Sequence, residues 1–381
     1  MIYLDNAATS FPKPNEVWQA LEDHWFNKGG NPGRSGHRLS LEAGRTVAQA
    51  REALADLFHG EKSEQVVFAS NATDAINMAF RGVLKPGDHV ITTSMEHNSV
   101  IRPLRDFEKY GGELTVVPCN REGFIDLDHI QEQIKRETKL VVVNHVSNLT
   151  GTIQPIEEIG CLCREKGVLF MVDAAQSAGT LPIDVKKAGI SLLAFTGHKG
   201  LFGPQGTGGL YVHPGLDLAF YRLGGTGSRS DSQYHPDFMP DRLEAGTLNA
   251  FGLSGLLAGV NFIKEEGLDT IREREAFLTS RLVDGLRNID GVEVYGPQSH
   301  EKRSCVISFN ITGLDGAEVA YVLDEQFDVM TRPGIHCAPL AHETIGTFPL
   351  GTIRMSVGYF NTESDIDTAV EAVSLIAKEA R

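Results

Sequence analysis

Short, nearly unbroken apolar runs recur along the first part of the chain. They are QVVFAS (65–70), HVITTS (89–94), LTVVP (114–118), KLVVVNHV (139–146), VLFMVD (168–173), SLLAFT (191–196) and GGLYVH (208–213). Several lack polar alternation, which predicts strands buried on both faces of a largely parallel sheet. Helical patterns separate them, in DAINMAFRGVL (74–84) and IRPLRDFEKYG (101–111). An earlier stretch, LSLEAGRTVAQAREALADLF (39–58), sets Ala43, Val47, Ala50, Leu54 and Leu57 on one helical face. This alternation predicts an α/β fold, with a mostly parallel seven-stranded sheet sandwiched by helices. The texture changes near residue 260. A long charged helix (260–289) leads to strand-like VEVYG (292–296) and CVISFNI (305–311), then to helices near 316–327 and 363–380. These predict a smaller α+β domain at the C-terminal end. The implied division is an arm, 1–15, packing with the small domain, a large domain, 16–258, and a small domain, 259–381, which carries a loop around Cys337.

Composition narrows the function classes. Of 381 residues, 41% are hydrophobic and 22% charged, an ordinary globular balance. A formal net charge of −15 argues against grip on nucleic acid or an anionic membrane, while leaving room for a local basic pocket. The opening MIYLDNAATS has no basic segment leading into an apolar one, and no apolar run is long enough for a bilayer, so the expectation is a cytoplasmic protein. The five cysteines, at 119, 161, 163, 305 and 337, are an odd and sparse set that reads as reduced thiols. Cys161 and Cys163 are two apart on a predicted helix and face apart, and no HExxH motif occurs, so no metal site is expected. GPQGTGG (203–209) lacks the Lys-Ser/Thr ending of a nucleotide-phosphate loop, and no GxGxxG occurs. Sequons at Asn71, Asn148 and Asn310 read as chance matches without secretion.

Ligands of open α/β sheets bind beyond the carboxyl ends of the strands, so the polar residues there carry the chemistry. VLFMVDAAQSAG delivers Asp173 at a strand end, with Gln176 just after it. The next run ends in Thr196-Gly197-His198-Lys199-Gly200. A lysine directly after a buried strand is desolvated, which lowers its pKa and makes the amine nucleophilic. Lys and Asp on adjacent strand ends are the two groups that pyridoxal phosphate needs, one for the covalent link and one to hold the pyridine nitrogen protonated. FASNATDAIN turns from strand to helix at Asn71, Ala72 and Thr73, a helix N-terminus suited to a phosphate. SMEHNSV puts His97 just beyond another strand, where an imidazole can stack on a flat ring. Singly, each has a plainer structural explanation, such as a helix cap or a surface charge.

Together these segments resemble the class V aminotransferase family of fold-type I pyridoxal phosphate enzymes, and within it the cysteine desulfurase and selenocysteine lyase group. The resemblance spans the chain: YLDNAAT (3–9), MEHNSV, VSNLTGT (146–152), VDAAQSAG, TGHKGLFGPQGTGGLY (196–211), RLEAGTLN (242–249), RPGIHCA (332–338) and IRMSVGYFNTESDID (353–367). It implies that Lys199 binds the cofactor covalently, Asp173 pairs with the pyridine nitrogen and His97 stacks on the ring. Gln176 and Asn148 reach the phenolic oxygen, and Thr73, Thr196 and His198 bind the phosphate together with the Asn71–Ala72 turn. Thr247 reaches the phosphate of a neighbouring subunit, which implies a homodimer with shared sites. Arg354 pairs with the substrate carboxylate, helped by Asn148.

TRPGIHCAPLAH (331–342) holds Cys337 without a clear helical or alternating pattern. A free Cys is most often a buried filler. The resembling group carries its sulfur-accepting cysteine in this late loop, which implies that Cys337 takes sulfur from L-cysteine, leaving alanine and a protein persulfide. Thiolate is the attacking form, and Arg332 and His336 are the expected cationic neighbours. Ile335 stands where many relatives have a second His, and Pro333, Pro339 and His342 give the loop its own character. A selenocysteine lyase or other C–S lyase in which Cys337 is not essential stays open, as does a non-catalytic scaffold for sulfur-trafficking partners. A sulfur-acceptor protein is a further expected partner.

Overall fold

The computed structural model describes residues 1–33 and 35–379. Its strands are β1 (Ile2–Tyr3), β2 (Val66–Ala69), β3 (His89–Thr93), β4 (Glu113–Val117), β5 (Thr138–Asn144), β6 (Leu169–Asp173), β7 (Leu192–Thr196), β8 (Gly208–Val212), β9 (Val292–Val294), β10 (Val306–Ile311), β11 (Val329–Met330), β12 (Arg332–Gly334) and β13 (Thr352–Ser356). The seven apolar runs become β2 to β8, joined in one sheet of order β2-β8-β7-β6-β5-β3-β4. β8 runs antiparallel to β2 and β7, and the other pairings are parallel.

The unbroken apolarity has a direct cause. Val141, Val143, Phe170, Val172, Leu193 and Phe195 enter one core, while their alternating neighbours Leu140, Val142, Met171, Leu192 and Ala194 enter another on the opposite face. Each of the Val, Leu, Phe and Met side chains contributes about 1.5–3 kcal/mol on burial, so neither face of the central strands tolerates a polar residue cheaply.

A second antiparallel sheet, β12-β13-β10-β9, has its own core of Leu282, Ile307, Phe309, Leu323, Ile353 and Val373. Leu4 joins that core, and β1 pairs in parallel with β11. The arm also reaches the large sheet: Ser10 N–H, the Thr9 hydroxyl and the Lys13 ammonium all donate to the carbonyl of His198. The charged stretch at 260–289, expected as one helix, is two. Ala250–Glu266 and Leu268–Arg287 meet at Gly267, whose φ of +88° is a backbone conformation open to glycine that breaks the helical path. Residue 258 therefore lies inside a helix, and Val260 and Ile263 beyond it still pack in the large core. Among the described residues, no helix is long and apolar enough to cross a membrane.

Candidate active site

Asn144 and Asp173 are register partners at the ends of β5 and β6, and Thr196 ends β7 beside them. A pocket opens there, lined by Asn71, Ala72, Thr73, His97, Asn148, Asp173, Gln176, Thr196, His198 and Lys199. Ten of the predicted residues thus converge from five separate segments of chain. Of the other three, Arg354 lies on β13, Cys337 on the loop after β12, and Thr247 is exposed, with its hydroxyl accepting from Asn31 Nδ2 at 3.4 Å.

Burial sets the electrostatics. Lys199 follows β7 in a tight turn, where a Cβ on Gly197 would lie 2.0 Å from Thr207 Oγ1, so glycine lets the two segments close. Desolvation lowers the Lys199 pKa to about 8, with the Arg354 charge adding to the effect and Asp173 opposing it. Asp173 is raised by desolvation, and its Oδ1 accepts from Ala175 N–H at 2.9 Å. Desolvation and the nearby Lys199 and Arg332 charges push His97 down to about 4, leaving a neutral imidazole. Its Nδ1 accepts from Ser99 N–H at 3.0 Å, so the ring proton sits on Nε2. The Ser99 hydroxyl is 2.7 Å from that Nδ1 and 2.8 Å from Thr73 Oγ1, a polar chain joining the imidazole to the helix that begins at Ala72.

That helix, Ala72–Val83, is capped by Asn71, whose Oδ1 accepts from Asp74 N–H. The first amides, of Ala72 and Thr73, precede the intrahelical bonds and lie on the pocket wall. Thr196 Oγ1, His198 Nδ1 and Asn148 Oδ1 are buried without a hydrogen-bond partner among the described residues. Buried polar atoms are ordinarily satisfied, so orphans grouped on one pocket call for a polar ligand. A cationic amine on one side, a carboxylate at the floor, a neutral ring at the wall and an amide-rich helix end fit pyridoxal phosphate. Among the described residues, no group of three or more His, Cys, Asp or Glu is arranged for a metal. Gln176 Nε2 donates to the carbonyl of Ala7.

Arg354 is 1% exposed. Its Nη1 donates to the carbonyl of Asn148 at 3.0 Å and its Nη2 pairs with Asp5 at 2.8 Å, leaving Nε without a partner. Cys337 is exposed, whereas Cys163 is buried and Cys119 and Cys305 half-buried. Burial drives Cys119 up to about 11 and Cys305 further. The Cys337 loop is firmly held. His336 and Cys337 both take positive φ, 52° and 58°. The carbonyl of Cys337 accepts from Asn98 N–H at 2.8 Å, next to His97, and that of His336 accepts from Asn148 Nδ2 at 2.8 Å. His336 is not the cation expected beside the thiol. It is 3% exposed and stacks on His342, and burial lowers its pKa to about 3, so it is neutral. Sequence reasoning missed Ser99, Asn144, Glu96 and Asp5. Ser99 has a visible signal, two residues after His97 in MEHNSV, while the others have none.

The family model described as Aminotransferase class-V matches residues 2–369. A probable cysteine desulfurase from Methanothermobacter thermautotrophicus is 36% identical over 383 residues, spanning 99% of this chain and 94% of that protein. One from Pyrococcus abyssi is 36% identical over 390 residues, at 100% and 95% coverage. The solved apo structure of a cysteine desulfurase from Thermococcus onnurineus NA1 superposes with a TM-score of 0.93 at 35% identity, covering 99% of this chain and 95% of that one.

Proposed function

The chain belongs to the aminotransferase class-V family, and on that premise we propose that it is a cysteine desulfurase, releasing L-alanine from L-cysteine and passing the sulfur to Cys337. Its cofactor is pyridoxal 5'-phosphate. When bound, that cofactor supplies an electron sink, which makes the α-proton of an attached amino acid acidic and its Cβ–S bond breakable.

The observation that carries this reading is the meeting of the Lys199 amine and the Asp173 carboxylate in one pocket, with the Cys337 loop hydrogen-bonded to the helix that follows His97. Lys199, at a pKa of about 8, is partly free amine near neutral pH, so it serves as nucleophile and then as the base that moves the α-proton. Asp173 would pair with the pyridine nitrogen, and His97, a neutral imidazole, would face the ring. Gln176 and Asn148 would bind the phenolic oxygen. Thr196, His198, Thr73 and the Asn71–Ala72 amides would bind the phosphate, and Thr247 of a second copy would complete it, which would make the working unit a homodimer. Arg354 holds the substrate carboxylate, through the Nε that has no partner of its own.

Cys337 Sγ then takes the sulfur. An S–S bond forms as the Cβ–S bond breaks, and the bonding pair stays with carbon, which is protonated on the way to alanine. Exposure of Cys337 lets a sulfur-acceptor protein collect the persulfide sulfur. The direct test loads the protein with pyridoxal phosphate and supplies L-cysteine. A visible band that disappears in Lys199→Ala, with alanine formed by the parent alone, supports the reading; alanine formation surviving that substitution refutes it.

A further inference from the structure

Glu96 is fully buried, immediately before His97. Its Oε1 accepts from the Thr93 hydroxyl at 2.7 Å and from Asn144 N–H at 3.0 Å, while its Oε2 has no partner among the described residues. The bonds tie the turn that presents His97 to the ends of β3 and β5. Asn144 in turn gives its Nδ2 to the carbonyl of Met95 at 2.6 Å and sits in register with Asp173, so the floor and wall of the pocket share one buried network.

Two buried carboxyl groups therefore stand near one another, and Asp173 acts electrostatically on Glu96. Carboxylates close together in a low-dielectric floor do not both ionise, and the proton goes to the one with the poorer compensation. Asp173 has the Ala175 amide and the Lys199 ammonium, whereas Glu96 forms no ion pair among the described residues. Burial pushes Glu96 up to about 8, the same direction. Cys119, which burial holds as a neutral thiol, also feels Glu96.

We propose that Glu96 is a positioning residue of this site, a neutral carboxylic acid that locks the His97 turn onto the Asn144 strand end and leaves Asp173 as the single negative charge of the pocket floor. This rests on the cofactor reading above and assigns a group which that reading does not use. Glu96→Gln keeps an oxygen acceptor for Thr93 and Asn144 and keeps the site neutral, whereas Glu96→Leu keeps bulk alone.

Two measurements on the holoenzyme test it. An infrared difference spectrum, parent minus Glu96→Gln at pH 7, is expected to contain the carbonyl stretch of a protonated carboxylic acid. This readout depends on Glu96 and not on turnover, so it stands apart from any failure of the proposed reaction. A spectrum without that band, or with a carboxylate band in its place, overturns the proposal. Cofactor retention and the pH titration of the visible band supply the second measurement. Glu96→Gln is expected to keep both, and Glu96→Leu to weaken retention about tenfold, because buried donors lose their acceptor. A pH transition moved by about one unit in Glu96→Gln means that an ionised Glu96 was removed, and it contradicts the account. Retention equal to the parent's in Glu96→Leu removes the positioning role.

Discussion

Asp5, near the start of the chain, pairs at 2.8 Å with Arg354, 349 residues later on β13. The guanidinium is almost wholly buried, and the acidic group it pairs with among the described residues comes from the arm. Removing one partner of such a pair leaves an uncompensated buried charge. Asp5→Ala is therefore predicted to lower the unfolding free energy by about 2–4 kcal/mol, somewhat below a fully buried pair because Asp5 retains some solvent contact. Denaturant titration of parent and variant measures it, and a loss under about 0.5 kcal/mol would count against the pair as a structural lock.

Lys199 makes a pH prediction for the protein stripped of cofactor. Its folded pKa is about 8 against 10.5 for an ordinary lysine, so between those values the unfolded chain holds more protons than the folded one. Stability from this group thus rises with pH from about 8 to 10.5, and below 8 the buried ammonium exacts its full penalty. Lys199→Met should be more stable than the parent at pH 7, by of the order of 1–3 kcal/mol, with lost attraction for Asp173 offsetting part of the gain. The difference should close by about pH 10.5. A gap that stays constant across this range contradicts a desolvated lysine.

Thr196 separates folding from binding. Its hydroxyl is buried without a partner among the described residues, so the nearly isosteric Thr196→Val should leave the stripped protein as stable as the parent, or slightly more so. Cofactor affinity should fall about tenfold, since the phosphate loses a hydrogen bond. Thermal melts with and without pyridoxal phosphate read both effects. A variant destabilised when stripped yet unchanged in affinity would assign Thr196 to the fold instead.

The fold was legible because the large sheet is buried on both sides. Apolar runs such as VLFMVD and SLLAFT suit no solvated element, and parallel neighbours bring their carboxyl ends together, so Asp173, Thr196 and Lys199 stand out as the polar residues at or just past the end of each run. The features that stayed hidden depend on contacts distant in sequence or on depth of burial. Glu96 looks like a solvated turn residue until Asn144, 48 positions on, closes over it. His336 looks like a local cation in RPGIHCAPLAH, yet its stacking on His342 and its burial make it neutral. The break at Gly267 was missed because charged residues continue on both sides, and only the backbone angle separates the two helices.

The most direct test of the account compares the parent with Cys337→Ala, each loaded with pyridoxal phosphate and given L-cysteine. Alanine is measured alongside the mass of the intact protein. The parent is expected to form alanine and gain one sulfur atom on Cys337, while the variant keeps its visible cofactor band and forms alanine at least about a hundredfold more slowly. A variant that makes alanine as fast as the parent would contradict the account, and Cys337 would then be part of the pocket's edge and not the atom that takes the sulfur.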